Sequence, residues 1–369
     1  MNCYDMTDAD WQIFRAFAEK NFVASHPIDR IFIEYWFRRA DGSWSVQLAQ
    51  RDDGSIAAVN MMVEAPGRLC GVKTPLMWMS TAIAAKDAQS TGIGGQLLFN
   101  AHRTLPLACC TCANEKTLPI NETLGLDYPG LMMRRFVCLI TPECLQIVKE
   151  ESRNRVKHIL KPLMPPDNTD LQRVWTNIVP EGYEELWEEF SEHLSCLVDR
   201  NREYMNRRYI DVPYQNYHLL AIRDRAGRLH GLSIIRFHST PYGECARIVD
   251  FMAWSGSETD VWRHTLHACL EKKALYADFI IMGTGQDLSL LKAGFTLATD
   301  QNGLEDVPNL LSPIDYRRWS YTFHISGTLP RKLDGWRVND KVWFTKGDGD
   351  RDWPTNYDLN RLGPFNGKT

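Results

Sequence analysis

The sequence predicts an α/β fold: a mixed, mostly antiparallel sheet with flanking helices, built as two tandem units of one design. Three observations predict it. Strand-like runs joined by tight turns alternate with runs whose apolar residues fall at helical spacing. One order of elements occurs before residue 143 and again after residue 169. Finally, 369 residues are more than one hydrophobic core ordinarily serves.

Taken in order, a helix is expected to begin near Thr7, and "DRIFIEYWFRR" (29–39) reads as a second helix. "SWSVQLAQRDDGSIAAVNMMVE" (43–64) alternates on both sides of Asp53-Gly54, which predicts a hairpin. "LMWMSTAIAA" (76–85) is a strand, half the length of a membrane span and interrupted by Ser80 and Thr81. After a glycine turn, Ile93, Leu97, Leu98, Ala101 and Leu105 mark one face of a helix. "LACCTCA" (107–113) and "MMRRFVCLI" (132–140) follow as strands with "LPINETLGL" as a short helix or turn between them, and Thr141-Pro142 closes the first unit. An amphipathic helix is expected over 144–163, ended by the prolines of "KPLMPPDNTD".

The second half repeats the pattern. "EYMNRRY" (203–209) echoes "EYWFRR" (34–39), and an Asp/Gly turn at 224–227 echoes Asp52-Asp53-Gly54. "ARIVDFMAW", "VWRHTLHACLEKKA", "YADFIIMG" and "LKAGF" then stand for the third strand, the helix, the next strand and "TLGL". The expected units are therefore 1–143, a linker helix 144–168, a second unit 169–330 and an irregular tail 331–369 packed on a surface.

Composition narrows the function. Apolar residues are 44%, charged residues 24% and the net charge is -4, so neither a disordered nor a nucleic-acid-coating chain is expected. The amino terminus shows no basic segment leading into an apolar one, so a cytosolic protein without membrane insertion is expected, its ten cysteines reduced. "CCTC" (109–112) lacks the paired Cys-x-x-Cys halves of a zinc site, and "GDGDRD" lacks the sixth-position glycine and final glutamate of a calcium loop. No metal is expected.

The glycine turn carries the chemistry. A strand that runs into Gly92, Gly94 and Gly95 at the start of a helix leaves backbone N–H groups pointing one way, where the helix dipole favours an anion and no side chain blocks its approach. The spacing fits neither a dinucleotide-binding Gly-x-Gly-x-x-Gly nor a Walker loop, which needs Gly-Lys-Ser/Thr. Gln89-Ser90-Thr91-Gly92-Ile93-Gly94 does match Gln/Arg-x-x-Gly-x-Gly/Ala, and with the element order around it the chain resembles the GCN5-related N-acetyltransferases.

That resemblance implies an acetyl or other acyl coenzyme A whose pyrophosphate lies on 89–95, with Ile83, Ala84 and Asn114 also at the cofactor. In the family an asparagine after the splayed strand is followed seven residues later by a tyrosine that protonates the departing thiolate, then by Gly-Phe. Here Asn114 and Gly125-Leu126 are in place, but Asn121 holds the tyrosine position. Either Tyr128 is the acid, or it is a turn residue before Pro129 and none is needed, since a thiol ionises near pH ~8.5.

In the second half "WSGSETDVW" replaces the signature, and Glu258 and Asp260 would repel a phosphate, so one cofactor site is expected. A proton acceptor is required for transfer to an amine, and Glu64 and Asp250 are the candidates. Each also has a structural reading: Glu64 as an exposed strand end, Asp250 as a partner of Arg247 or a loop anchor. Arg38-Arg39 and Arg207-Arg208 read either as forks for a phosphate-bearing acceptor or as ties from helix to sheet. His102 is expected at the surface, and Trp36, Trp78 and Trp254 in the core or between units.

"EYMNRRY", "YADFIIMGTG", "LKAGF" and "VWFTKGDGDRDWP" resemble bacterial two-domain acetyltransferase-like proteins of surface polysaccharide biosynthesis. The acceptor this implies is an amino sugar, free or nucleotide- or lipid-linked. The alternatives are a non-catalytic acyl-CoA or sugar sensor, and an aminoacyl transferase of the peptide-bridge type. The last would use charged tRNA, which the mild net charge disfavours. A homo-oligomer is left open.

Overall fold

The computed structural model describes residues 1–22, 28–111, 133–311, 314–316, 322–333, 341–349 and 352–353, with Pro119 and Thr123. The first half runs β1 (Asn2–Asp5), α1 (Trp11–Asn21), α2 (Arg30–Phe37), β2 (Val46–Gln50), β3 (Ile56–Leu69), β4 (Val72–Ala84), α3 (Ile93–Thr104), β5 (Leu107–Thr111) and β6 (Arg134–Leu139). After α4 (Arg153–Lys157) the second half runs β7 (Gln172–Thr176), α5 (Tyr183–Ser191), β8 (Cys196–Val198), α6 (Arg202–Met205), β9 (His218–Arg223), β10 (Leu229–Thr240), β11 (Gly243–Ala253), α7 (Glu258–Glu271), β12 (Tyr276–Met282), α8 (Asp287–Ala293) and β13 (Thr296–Leu297). The small pair β14 (Leu310–Leu311) and β15 (Ile314–Asp315) precedes β16 (Phe323–Ser326) and β17 (Val342–Thr345).

Local chemistry accounts for the hairpins. Gly54 takes φ 83° in the β2–β3 turn, and Cys70 and Gly71, at φ 48° and 78°, link β3 to β4 in the left-handed conformations that match strand twist. This second hairpin extends β3 five residues beyond the expected end at residue 64, because Ala65, Gly67 and Leu69 continue the buried alternation. The run β2–β3–β4–α3–β5 and the run β9–β10–β11–α7–β12 share one pairing: antiparallel hairpins, then a helix, then a parallel strand. No helix among the described residues is long and apolar enough to cross a membrane.

The halves exchange strands. β6, grouped by the sequence with the first unit, pairs antiparallel with β12 and with β13 of the second half. In return β16, from beyond the second half, pairs with β5 of the first. Both strands are buried on both faces, so each needs a strand beside it and cover above and below. A single mixed sheet results, running β16-β5-β4-β3-β8-β17-β12-β11-β10-β9-β7.

Two expectations are corrected. The helix expected over 144–163 is replaced by two 3-10 turns, 142–146 and 150–152, and the five-residue α4. Ile147, Val148 and Val156 are drawn instead into a core with Leu304 and Val307, and Lys149 is pinned to Asp306 (3.1 Å), so tertiary contacts win over helical spacing. The tail is not peripheral: β17 lies mid-sheet between β8 and β12, and Lys346, Gly347 and Asp348 after it are buried.

Candidate functional site

Residues 86–91 form a 3-10 turn that carries the chain from β4 to Gly92, whose φ of 76° places it in the left-handed region as the N-cap of α3. Without a side chain, Gly92 cannot cap the helix, and the first helical bond is donated by Gln96 to the Gly92 carbonyl (3.0 Å). The N–H groups of Ile93, Gly94 and Gly95 therefore lie in the first turn, where a helix supplies no acceptor. The turn is closed internally by Thr91 Oγ1, which donates to the Ala88 carbonyl (2.7 Å), and by Gln89 Nε2, which donates to the Ala84 carbonyl (3.3 Å). Outside it is open. A Cβ on Gly92 would meet nothing within 4 Å, and one on Gly94 only the Ala84 methyl at 3.7 Å. Gln89, Ser90, Thr91 and Gly92 are exposed, while Ile83, Ala84, Gly94 and Gly95 are half-buried.

The same end of β4 parts from its neighbour. β4 and β5 pair in parallel from Leu76↔Leu107 to Met79↔Cys110, after which β4 continues to Ala84 against β3 alone. At the parting the β3–β4 register steps from Met61↔Thr81 to Met62↔Met79, which leaves Ser80 as a bulge with its main chain out of the ladder. A gap between two strands thus begins at a bulge and ends at a glycine turn. On the far side of β5, His324 of β16 faces Cys110.

The second half builds the same gap and fills it. β11 and β12 pair up to Ile248↔Phe279, and a bulge falls at Val249. Beyond that row Thr345 and Phe344 of β17 pair with Ile281 and Met282. Gly347 packs so closely that a Cβ would sit 2.9 Å from the Val249 carbonyl oxygen and inside the Tyr209 hydroxyl. α7 opens on Glu258 and Asp260 after a turn with a single glycine, Gly256 at φ 83°.

The candidate carboxylates are placed as follows. Asp250 is fully buried: Arg200 Nε reaches its Oδ2 at 2.5 Å, the Tyr209 hydroxyl donates to the same oxygen (2.9 Å), and Phe251 N–H donates to Oδ1 (3.0 Å). Its partner is Arg200 and not Arg247, which pairs with Asp278 (3.2 Å) opposite it on β12. Arg200 also holds Asp348 (2.6 Å). Burial raises Asp348 to about 6, with Asp250 adding to the rise and Arg200 opposing it. Asp278 goes the other way: burial would raise it, but Arg247 and Arg135 outweigh that and hold it well below the usual range. Glu64 is partly exposed and pairs with Arg39 (3.3 Å). Asn114 and Tyr128, with Asn121 and Gly125, lie outside the described residues.

The arginine pairs are ties. Arg38 holds Asp8 (2.9 Å), Arg207 donates to the Tyr35 carbonyl (3.1 Å), and buried Arg208 donates to the Gly347 carbonyl (2.6 Å) and the Tyr217 hydroxyl (2.8 Å). His102 lies on α3. Trp78 is buried against Phe323 and Phe344, Trp36 packs on Trp353, and half-buried Trp254 donates from Nε1 to the Leu229 carbonyl (2.5 Å). Among the described residues no cluster of His, Cys, Asp or Glu could hold a metal ion. Sequence reasoning passed over Arg200, Asp348 and His324. Arg200 and His324 stand in no spaced motif and Asp348 lies in "GDGDRD", read as turns; Arg200 meets Asp250 across 50 residues and Asp348 across 148, and His324 pairs with a strand of the first half.

No family model matches the sequence, and no curated protein matches it. Solved structures do. The chain is similar to Saccharomyces cerevisiae N-myristoyltransferase with bound myristoyl-CoA, at 10% identity over 88% of this chain and 82% of that one, with a TM-score of 0.54. It is similar to a GCN5-related N-acetyltransferase from Anabaena variabilis, at 13% identity over 81% and 70%, with a TM-score of 0.55. A conserved Enterococcus faecalis protein of unknown function, described as a probable N-acyltransferase, matches at 10% identity over 92% and 73%, with a TM-score of 0.57. At these identities the likeness is one of architecture, and the fold of this chain is the mixed α/β fold of the GCN5-related N-acetyltransferases and N-myristoyltransferase.

Proposed function

We propose that the first half binds an acyl coenzyme A and that the protein transfers the acyl group to an amine. The observation that carries this reading is the contrast between two equivalent gaps: the one beyond Met79 and Cys110 ends at an open glycine turn, and the one beyond Ile248 and Phe279 is filled by residues 344–347 of the same chain. The N–H groups of Ile93, Gly94 and Gly95 would hold the diphosphate, with Gln89, Ser90 and Thr91 along its rim. Ile83 and Ala84 offer main-chain groups to the arm that leads to the thioester, and the Ser80 bulge leaves its main chain available to the thioester carbonyl. When bound, the thioester supplies an activated acyl carbon and a thiol leaving group. Asn114 at the cofactor and Tyr128 as acid to the thiol belong to the same reading. Asp250 serves it indirectly, by fixing Arg200 and hence the seam between halves.

The acceptor we assign is an amino sugar of a surface-glycan pathway, on the strength of the four second-half segments quoted above. The filled gap leaves the second half to shape the acceptor side and not to bind a second coenzyme.

Calorimetric titration with acetyl-CoA tests the reading, together with Gly94→Glu, which has room to fold because the nearest atom to its Cβ is 3.7 Å away. Wild type should bind, and the carboxylate placed at the diphosphate should weaken binding by about tenfold or more with the melting temperature unchanged. Thiol release with a panel of amino sugars then separates transferase from sensor. Equal affinity in wild type and Gly94→Glu would refute the site.

A further inference from the structure

At the seam between the halves a set of side chains closes a circuit of contacts. Arg208 Nη1 donates to the Tyr217 hydroxyl (2.8 Å), which in turn donates to Asp352 Oδ2 (2.8 Å). Trp353 follows Asp352 in the chain, its ring centre lies 5.1 Å from that of Trp36, and the Arg208 guanidinium lies 4.9 Å from the Trp36 ring centre, which completes the circuit. Gln215 joins it by donating from Nε2 to the Asp352 carbonyl. Three segments far apart in the chain meet here: "EYWFRR", "EYMNRRY" and "VWFTKGDGDRDWP".

Each of these residues except Tyr217 carries a buried polar atom with no hydrogen-bond partner among the described residues. Arg208 Nη2 and the Nε1 atoms of Trp36 and Trp353 are donors, and Gln215 Oε1 and Asp352 Oδ1 are acceptors. Arg208, Gln215 and Asp352 are 1%, 3% and 2% exposed, so bulk water does not serve these atoms. The other polar atoms of the circuit are in use: Arg208 Nε donates to the Gly347 carbonyl (2.6 Å), and Arg236 donates to the Asp352 carbonyl (2.7 Å) and lies 3.6 Å from its Oδ2. A buried polar atom left unpaired is costly, and several in one circuit call for an occupant.

The backbone that presents them is irregular as well. Arg208 lies in a π turn, Asn206–Ile210, where Asp211 N–H donates to the Asn206 carbonyl five residues back (2.9 Å). Tyr214, just before Gln215, takes φ 63°, in the left-handed region. Both are unfavourable conformations that recur where a ligand is held.

From this we infer that the seam holds a second ligand site, for a neutral polyhydroxylated ligand of the saccharide class. An anion would suit the three donors but meet the bare oxygens of Asp352 and Gln215, and a cation would suit the oxygens but meet the Arg208 guanidinium. A hydroxyl both donates and accepts, and the C–H face of a sugar ring packs on indole. The site goes beyond the acyl-CoA reading and is independent of it, since no coenzyme contact and no step of transfer enters the argument.

Tryptophan fluorescence and melting temperature of the full chain test it, with glucose, N-acetylglucosamine and cellobiose as sugars, inorganic phosphate as the anion and putrescine as the cation. Each titration is run on wild type and on Gly94→Glu, whose glycine turn no longer attracts an anion. At least one sugar should change the fluorescence and raise the melting temperature equally in both proteins, and phosphate and putrescine should do neither in Gly94→Glu. Trp353→Phe keeps a ring and removes the N–H, and Gln215→Met removes Oε1 while Arg236 still serves the Asp352 carbonyl. Each should weaken the sugar by about fivefold or more. A wild type that responds to no sugar assigns the unpaired atoms to bound water and overturns the inference. So does a response to phosphate or putrescine in Gly94→Glu, and so does unchanged sugar affinity in both variants. A crystal soaked in the responding sugar locates it whether or not the variants fold: density at the circuit supports the site, and density elsewhere overturns it.

Discussion

Replacing Asp348 by asparagine removes one ionisable group from the seam and leaves the shape of the side chain. Asp348 accepts from Arg200 Nη2 (2.6 Å) and Thr345 N–H (2.7 Å), both through Oδ2, and an asparagine oxygen can accept both. Burial raises the carboxyl from 3.8 to about 6, so the folded state holds this proton more tightly than the unfolded chain does. The sign follows: a group raised on folding contributes stability that is complete below its unfolded value and is lost as the pH climbs through its folded value. Lowering the pH from 7 to 5 therefore adds to wild type a stability, on the order of 1 kcal/mol, that the variant lacks. Urea unfolding of both proteins at pH 7, 6 and 5, followed by tryptophan fluorescence and far-UV circular dichroism, measures it as the difference between them. Contributions from titratable groups remote from Asp348 cancel in that difference, which leaves the linked set of Asp348, Asp250 and Arg200. A difference that stays flat, or that turns against wild type as the pH falls, refutes the assignment of Asp348 as a carboxyl whose charge is disfavoured by burial.

Two further outcomes are expected from the packing. A methyl group on Gly349 would fall inside the indole of Trp78, which is 1% exposed and cannot turn away, so Gly349→Ala should cost about 1–3 kcal/mol and lower the melting temperature. Cutting the chain in the exposed linker near Pro165 leaves β5 without β16 and β12 without β6, so fragments 1–165 and 166–369 should each fail to melt cooperatively alone. The fragments should co-elute when expressed together, and independent folding of either one would contradict the exchange.

What the sequence determined by itself is local. Alternation in 43–64 and Asp53-Gly54 specify a hairpin, the spacing of Ile93, Leu97 and Ala101 specifies α3, and three glycines at a strand-to-helix turn specify an open ring of N–H groups. These depend on neighbours a few residues apart, so the period of the pattern suffices. The repeated order of elements was legible for the same reason. Tertiary structure decided the rest. Whether "RRFVCL" closes the first sheet or the second depends on which edge is free to pair, and strand patterning is identical in either case. The amphipathic run after Pro142 gave way to short turns because a core 150 residues distant bids for Ile147, Val148 and Val156. The tail read as surface turns because Gly and Asp mark turns anywhere. Only the fold brings Arg200 to neutralise Asp348, and only then can that segment lie in the middle of a sheet. Asp250 stood out in an apolar strand, but its partner sits 50 residues away, and the strand of His324 begins 228 residues past Gly95, separations at which a sequence pattern carries no distance.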